Sequence, residues 1–386
     1  MPSFQGVGVL SVTDPLSRCY GVSPDGNHAF GYSRSSDGAQ AFRWTANTMT
    51  RMLDINPPGI GQLPQPPYRS NAISASEDGS IVVGRGTSMN AFGLREPEAF
   101  HDSQNSRMFG LGRLANPNNL DWDSYSEARD VSYDGAVVVG RSWSGKNDRD
   151  AVVWKFANGQ WTLKDLTPLQ GNRHSAMACG ISGNGLVTVG KCDTGNQLSN
   201  RSTHAVRWTR QTTQGSWGAA DSLHPPGSTA VFGKALGVSE NGSVIVGQMD
   251  VLISAGPPDV KEFVAFRYDE QTGPPPFSMV PLAIESGDFV KSRARGVSGD
   301  GSVVVGEFDL GTGTGDEAFL WTTSVTHLKR LSEVLRDDFN LGTDLDGWIL
   351  QQAHGVSHDG LVVVGSGMHL VNEVPRTEGW VASMRP

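Results

Sequence analysis

One phrase recurs seven times along this chain and restricts what it can become. Its form is A-x-G-V-S-x-D-G-x-x-V-V-G, as in ARGVSGDGSVVVG ending at Gly306 and AHGVSHDGLVVVG ending at Gly365. The turn glycines are Gly26, Gly79, Gly135, Gly185, Gly242, Gly301 and Gly360, spaced 50 to 59 residues apart. Self-similarity at such a period marks a repeat architecture. Asp-Gly or Asn-Gly between β-branched runs signals a hairpin, because both residues tolerate positive φ. A third strand is expected in each unit, as at Ala41–Trp44, Ala151–Trp154, Ala205–Trp208 and Ala318–Trp321. A short fourth is expected at Met52-Leu53, Phe109–Leu111, Trp161–Leu163 and Met279–Leu282.

Seven such units predict an all-β chain: a seven-bladed β-propeller with four-stranded antiparallel blades, one domain over residues 1–386. A solenoid is the alternative, but solenoids carry atypical capping repeats and these end repeats are not capped. The seventh unit stops at Pro386 after its third strand, while Gly6–Leu10 reads as a strand without a blade. Pairing the two hides both open edges, so residues 4–12 are expected to complete blade 7 and close the ring.

Composition narrows the function classes. The chain has 48 Gly in 386 residues without the three-residue register of collagen, and its 37% hydrophobic content supplies a core. No run of about 18 apolar residues is present, so no membrane partner is expected. A net charge of −9 argues against nucleic acid. The start MPSFQGVGVLSVTDP lacks a basic region followed by an apolar core. A cytoplasmic location is expected, although a secreted chain trimmed to its mature form reads the same. Cys19, Cys179 and Cys192 form neither a disulfide framework nor a zinc spacing. No GxSxG, HExxH, phosphate loop or dinucleotide fingerprint sits in a supporting context, and no cofactor or metal is expected.

The repeat frame selects the channel positions. Five residues before each repeat Ser stand Arg18, Asn71, Glu127, Met177, Lys234, Arg293 and Gln352. Three before it stand Tyr20, Ile73, Arg129, Cys179, Leu236, Arg295 and His354. Just after the closing Gly stand Tyr32, Arg85, Arg141, Lys191, Gln248, Glu307 and Ser366. Eight cations and two carboxylates among these positions give a ring of +6 inside an acidic protein. Clefts of one sign attract ligands of the other, and Arg grips carboxylates bidentately. The expected ligand is therefore a small molecule with an acidic group and an apolar portion. The competing account is that variable positions in a wet channel are simply polar.

The candidate catalytic residues are Arg129, Arg295, His354 and Tyr20, the last two for proton transfer. Candidate binding residues are Arg18, Arg85, Arg141, Lys191, Lys234 and Arg293. His174 is a further candidate on a loop, while His28 and His204 are expected to be structural. Four long insertions (54–70, 113–127, 249–262 and 333–352) are expected to form an apolar lid over the mouth, with Tyr125 and Trp348 as binding residues.

The third-strand segments Thr203-His204-Ala205-Val206, Gln40-Ala41-Phe42 and Glu317-Ala318-Phe319 resemble the HAF-repeat family, which implies the same propeller architecture. In size, in the start MPSFQGVGVL and in the opening blade RCYGVSPDG, the chain resembles the fungal propeller hetero-Diels–Alderases of tropolone–sesquiterpenoid pathways. That resemblance implies dehydration of a hydroxymethyl tropolone to an o-quinone methide and its cycloaddition to a humulene-type alkene. It brings no catalytic motif with it. A lyase acting on uronate-bearing polysaccharides and a non-catalytic binding scaffold are the alternatives.

Overall fold

A computed structural model describes residues 1–52, 55, 68–89, 95–103, 108–115, 125–144, 149–169, 175–194, 202–224, 232–254, 260–270, 279–313 and 315–386. It is a seven-bladed β-propeller of four-stranded antiparallel blades, six built from consecutive strands and the seventh from the last three strands and the first. The innermost strands are Ser17–Val22, Asn71–Ala75, Ser126–Val131, Ala176–Ile181, Gly233–Val238, Lys291–Val297 and Trp348–Val356, for blades 1 to 7 in order. A two-residue strand, Tyr68–Arg69, adds in parallel to blade 1.

The repeated turn is wider than a two-residue hairpin. In blade 6, Ser298 and Val303 close the loop, and Gly301 N–H bonds to the Ser298 carbonyl at 3.0 Å. Only the glycine takes positive φ, at 76° in Gly301. The Asp serves differently from the expected turn conformation. Asp300 Oδ1 accepts from the Ser298 hydroxyl at 2.6 Å and from Ser302 N–H at 2.9 Å. The repeat Ser in turn accepts Val303 N–H at 3.0 Å. Ser and Asp are thus fixed together as the local hydrogen-bond partners of the loop backbone.

The closing glycine answers to a different constraint. Each innermost strand carries a β-bulge at the residue three before the repeat Ser, as between Ala294 and Gly296. The bulge draws the strand's backbone over the closing glycine. A Cβ on Gly306 would fall far inside van der Waals contact of the Arg293 carbonyl oxygen. The same carbonyl, five before the Ser, blocks all seven closing glycines. On the far side the third-strand aromatic covers the gap: a Cβ at Gly306 would also meet Phe319 Cε1 at 2.8 Å. The Ala-Phe of the third strand is therefore packing on glycine, and Phe42, Phe100, Phe266 and Phe319 are all fully buried.

Blades join edge to edge through their turns. Glu77 N–H bonds to Tyr133 O at 3.0 Å, Tyr133 N–H to Gly183 O at 3.1 Å and Asn184 N–H to Glu240 O at 3.1 Å. The series continues from Glu240 to Gly299 at 3.0 Å and from Gly299 to His358 at 3.0 Å. It closes from His358 to Pro24 at 2.8 Å and from Asp25 to Glu77 at 3.1 Å. Seven main-chain bonds thus run unbroken around the ring.

The ring is closed by the N-terminal strand, which lies earlier than residues 6–10. Ser3–Gly6 pairs with the outer strand of blade 7, Phe4 opposite Ala382 and Gly6 opposite Trp380. Gly8, at φ 83°, turns the chain away. Phe4 is buried against Trp348, 5.3 Å between rings, and Trp380. Two further expectations need correction. The fourth strand of blade 1 is Thr48–Arg51, so Met52 follows it, while Leu53 lies outside the described residues. The insertion 333–352 is not a lid. It belongs with a helix, Leu331–Asp337, and a 3-10 turn, Thr343–Leu345, whose leucines pack with Phe4 and Trp380.

Phe4→Ala removes a buried aromatic from this seam and is expected to cost about 3–5 kcal/mol in a denaturant titration. An unchanged midpoint would show that the ring does not depend on this strand.

Candidate functional site

A β-bulge adds one unpaired residue and re-aims its side chain. Here the added residues are Tyr20, Ile73, Arg129, Cys179, Leu236, Arg295 and His354, and all seven line a central cavity of about 470 Å3. The other two expected sets face each other across the first two strands of each blade: Asn71 opposite Arg85, Glu127 opposite Arg141, Lys234 opposite Gln248, Arg293 opposite Glu307. Of these, Asn71, Arg85, Glu127, Arg141 and Lys234 also line the cavity.

The positive ring is organised around its two carboxylates. Glu127 lies 2.7 Å from Arg141 Nη2 and 3.0 Å from Arg129 Nε, and it accepts the Tyr125 hydroxyl. Arg129 Nε is close to Glu127 without the alignment of a hydrogen bond. Glu307 lies 2.5 Å from Arg295 Nε and 3.2 Å from Arg293 Nη1. Both glutamates are buried. Burial pushes the Glu127 carboxyl up, but the Arg129 and Arg141 guanidiniums and the Tyr125 hydroxyl outweigh it and hold it at about 2. Lys191 pairs with Asp193 at 3.2 Å. Five of the eight cations are therefore paired, with three carboxylates, and each arginine triad keeps one net positive charge. Among the described residues, Arg18, Arg85 and Lys234 have no carboxylate partner.

The proton-bearing candidates fall together. Tyr20 packs edge-on against His354, 5.2 Å between rings, and stacks on Tyr32. Burial holds the Tyr20 hydroxyl protonated, above the ordinary tyrosine range. Burial, and then Arg295, Arg18 and Arg293, hold His354 well below the usual imidazole range. Its Nε2 lies 3.0 Å from the Ser366 hydroxyl. His354 is thus neutral near pH 7 and does not serve as a cationic acid there.

Several expected residues lie elsewhere. Trp348 does not cover the mouth. It stacks on His369 at 4.0 Å and against Phe4, because the first turn of its strand belongs to the closing seam. Tyr125, expected in a lid, is held beneath the guanidiniums of Arg141 and Arg149, at 5.0 and 5.6 Å from its ring. Arg18, Lys191 and Arg293 stand behind the cavity wall, although Arg18 acts electrostatically on both Tyr20 and His354. His28 bonds Thr45 Oγ1 at 2.7 Å and His204 stacks on His224 at 4.6 Å, both as packing residues. His174, Trp122 and most of 54–70 lie outside the described residues, as do 116–124 and 255–259. The flanks of 249–262 continue as paired strands of blade 5.

Two groups were missed. Two before the Ser, five blades carry Gly, but blades 2 and 3 carry Ser74 and Asp130. The Ser74 hydroxyl donates to Asp130 Oδ1 at 2.6 Å, and Ile181 N–H donates to Oδ2 at 2.8 Å. This half-buried carboxyl ties three blades together at the channel wall, and desolvation raises it to about 6. One after the Ser, Tyr133, Glu240 and His358 reach across the turn end of the channel. The Tyr133 and His358 rings are 5.7 Å apart and His358 Nε2 is 3.4 Å from Glu240. They cross from blades 3, 5 and 7, so the channel is a well closed at the turn face. Departure of a repeat column from its own majority residue is the signal that marks both groups.

No protein-family model matches the chain, and no curated protein matches it in sequence. The solved structures similar to it are at low identity. TolB from Acinetobacter baumannii is 12% identical over 79% of this chain, TM-score 0.45. Prolyl oligopeptidase B from Galerina marginata is 10% identical over 90%, TM-score 0.48. An α-L-arabinanase from Penicillium chrysogenum is 13% identical over 82% of this chain and 92% of its own, TM-score 0.42. The chain spans 63% of the TolB and 46% of the oligopeptidase.

The depressed Glu127 carboxyl carries a pH signature. A carboxyl held below its unfolded value stabilises the fold above the ordinary range, and that stabilisation is lost as pH falls toward about 2. Between its ordinary value of 4.5 and about 2, the wild type is expected to lose about 3 kcal/mol that Glu127→Gln does not lose. Parallel acid-denaturation profiles for the two proteins would contradict the buried triad.

Proposed function

We propose that the channel is the active site of a specialised-metabolism enzyme acting on a small acidic molecule with an apolar portion. The observation that carries this reading is the set of three cations left without a carboxylate partner, Arg85 and Lys234 in the cavity wall and Arg18 behind it, around a well whose two Glu–Arg triads each keep one net positive charge. An anionic ligand supplies the missing charge. A cavity of about 470 Å3 lies in the range of small-molecule sites. A polysaccharide strand threading the ring meets Tyr133, His358 and Glu240 at the turn face, which favours the small molecule over the uronate lyase.

The reaction we assign is dehydration of a hydroxymethyl tropolone to an o-quinone methide, then hetero-Diels–Alder addition to a humulene-type alkene. Arg18 and Arg85 stabilise the tropolonate. Neutral His354 takes the ring hydroxyl proton. The hydroxymethyl C–O bond breaks, and its oxygen leaves as water with a proton from the Tyr20 hydroxyl. His354 returns that proton to Tyr20. The cycloaddition forms its C–C and C–O bonds without further proton transfer, so the chain contributes orientation and charge stabilisation.

Tropolone itself is the binding probe. Arg85→Gln is expected to weaken it about tenfold or more, the loss of a charged hydrogen bond of about 1.5–3 kcal/mol, and Arg18→Gln, which acts from behind the wall, to weaken it less, both with melting unchanged. Arg295→Ala is expected to lower melting as well, because it strips a partner from buried Glu307. Equal affinity of the wild type for tropolone and its uncharged methyl ether would overturn the anionic reading.

A further inference from the structure

Lys234 is the one amine among the described residues that lines the channel cavity. It sits on the innermost strand of blade 5, and its cross-strand neighbour is Gln248. Gln248 is committed elsewhere. Its Nε2 donates to Ser292 O at 3.2 Å, and its Oε1 accepts from Arg293 Nε at 3.3 Å. The nearby carboxylates are committed too: Asp193 to Lys191, Glu307 to Arg293 and Arg295, Glu127 to Arg129 and Arg141. Around the amine stand Cys179, Arg129, Lys191 and Arg293, three of them cations. Leu236, on the same strand, adds an apolar wall.

We propose that Lys234 captures carbonyl compounds: its amine condenses reversibly with the carbonyl carbon of a small oxo acid whose carboxylate rests on Arg129. An amine without an anion to bind, beside cations and apolar surface, gives up its proton more readily than an ordinary lysine and so reaches its nucleophilic form. Burial, with Arg129, Lys191 and Arg293, lowers its basicity below that of ordinary lysine. Arg129 is suited to the carboxylate, because its side chain is 34% exposed and meets Glu127 through Nε. In the step, the ammonium first yields a proton to water. The nitrogen lone pair then adds to the carbonyl carbon, the carbinolamine hydroxyl takes that proton back from the solvent, and water leaves to give a protonated imine. Hydrolysis reverses it, and no oxidant or reductant takes part. The oxo-acid half rests on the anionic reading of the channel, whereas the reactivity of the amine does not.

Reductive trapping tests both halves. The intact protein is treated with glyoxylate and cyanoborohydride, in parallel with propanal and cyanoborohydride, and adducts are mapped by peptide mass spectrometry. Lys191, paired with Asp193 beside the same channel, is the internal comparator. The expected result is carboxymethylation of Lys234 about tenfold faster than of Lys191, a difference of about 1.4 kcal/mol, with glyoxylate outpacing propanal at Lys234. Lys234→Arg keeps the charge and is expected to lose that adduct at an unchanged melting temperature. Adducts spread evenly over the lysines would overturn carbonyl capture while leaving tropolone binding, and the proposed function, intact. Preferential labelling of Lys234 at equal rates by propanal and glyoxylate would instead overturn the oxo-acid assignment together with the anionic reading.

Discussion

A carbonyl oxygen lying against a glycine organises this molecule. In every blade the carbonyl five before the repeat Ser occupies the place where the closing glycine's Cβ would stand. That close approach permits the bulge two residues further on. The bulge turns one added side chain per blade into the channel, because an unpaired residue is not bound to the alternation of the ladder. A larger residue at the closing position would push the first two strands apart, flatten the bulge and move the channel wall with it. Fold and site therefore depend on one contact, repeated seven times.

Charge is then distributed on that frame by a simple economy of burial. An arginine in a cavity of low polarity is costly unless paired, and a buried carboxylate likewise. The chain places each of Glu127 and Glu307 between two arginines, so that each triad keeps one net positive charge. The triads stand on blades 3 and 6, on opposite sides of the ring. Positive potential is spread around the wall without leaving every guanidinium unpaired, and the arginines are held rigid by their carboxylates. Rigid, preorganised charge loses little when a ligand binds.

The repeat made the blades, their inner strands and the seven channel residues legible in the sequence, because each follows from position relative to one Ser-x-Asp-Gly turn. The bulge was not legible, and pairing depends on it. Glu127 and Arg141 are fourteen residues apart in sequence and directly opposite in the sheet. Only the register reveals that they neutralise each other. Trp348 was misplaced for a related reason. Its insertion has no counterpart in the other units, so no column of the repeat fixes where it goes. The Leu331–Asp337 helix follows the same rule: its leucines Leu331 and Leu335 pack against an N-terminal strand far away in sequence.

Symmetry itself locates the asymmetric function. A ring of identical blades offers identical walls and cannot hold one small molecule in one orientation. Orientation requires that a few columns break. Where the column two before the Ser holds Gly in five blades, adjacent inner strands meet backbone to backbone: a Cβ on Gly296 would lie 3.4 Å from Gly355 Cα. Ser74 and Asp130 replace that contact by a hydrogen bond, on one side of the ring only. At the turn end, Gly183 and Gly299 make room for the large side chains of Tyr133 and His358, since a Cβ on either would strike those rings. The glycines that stay and the residues that depart are thus two halves of one arrangement, in which the repeated backbone gives the well its walls and the exceptions give it a floor and a direction.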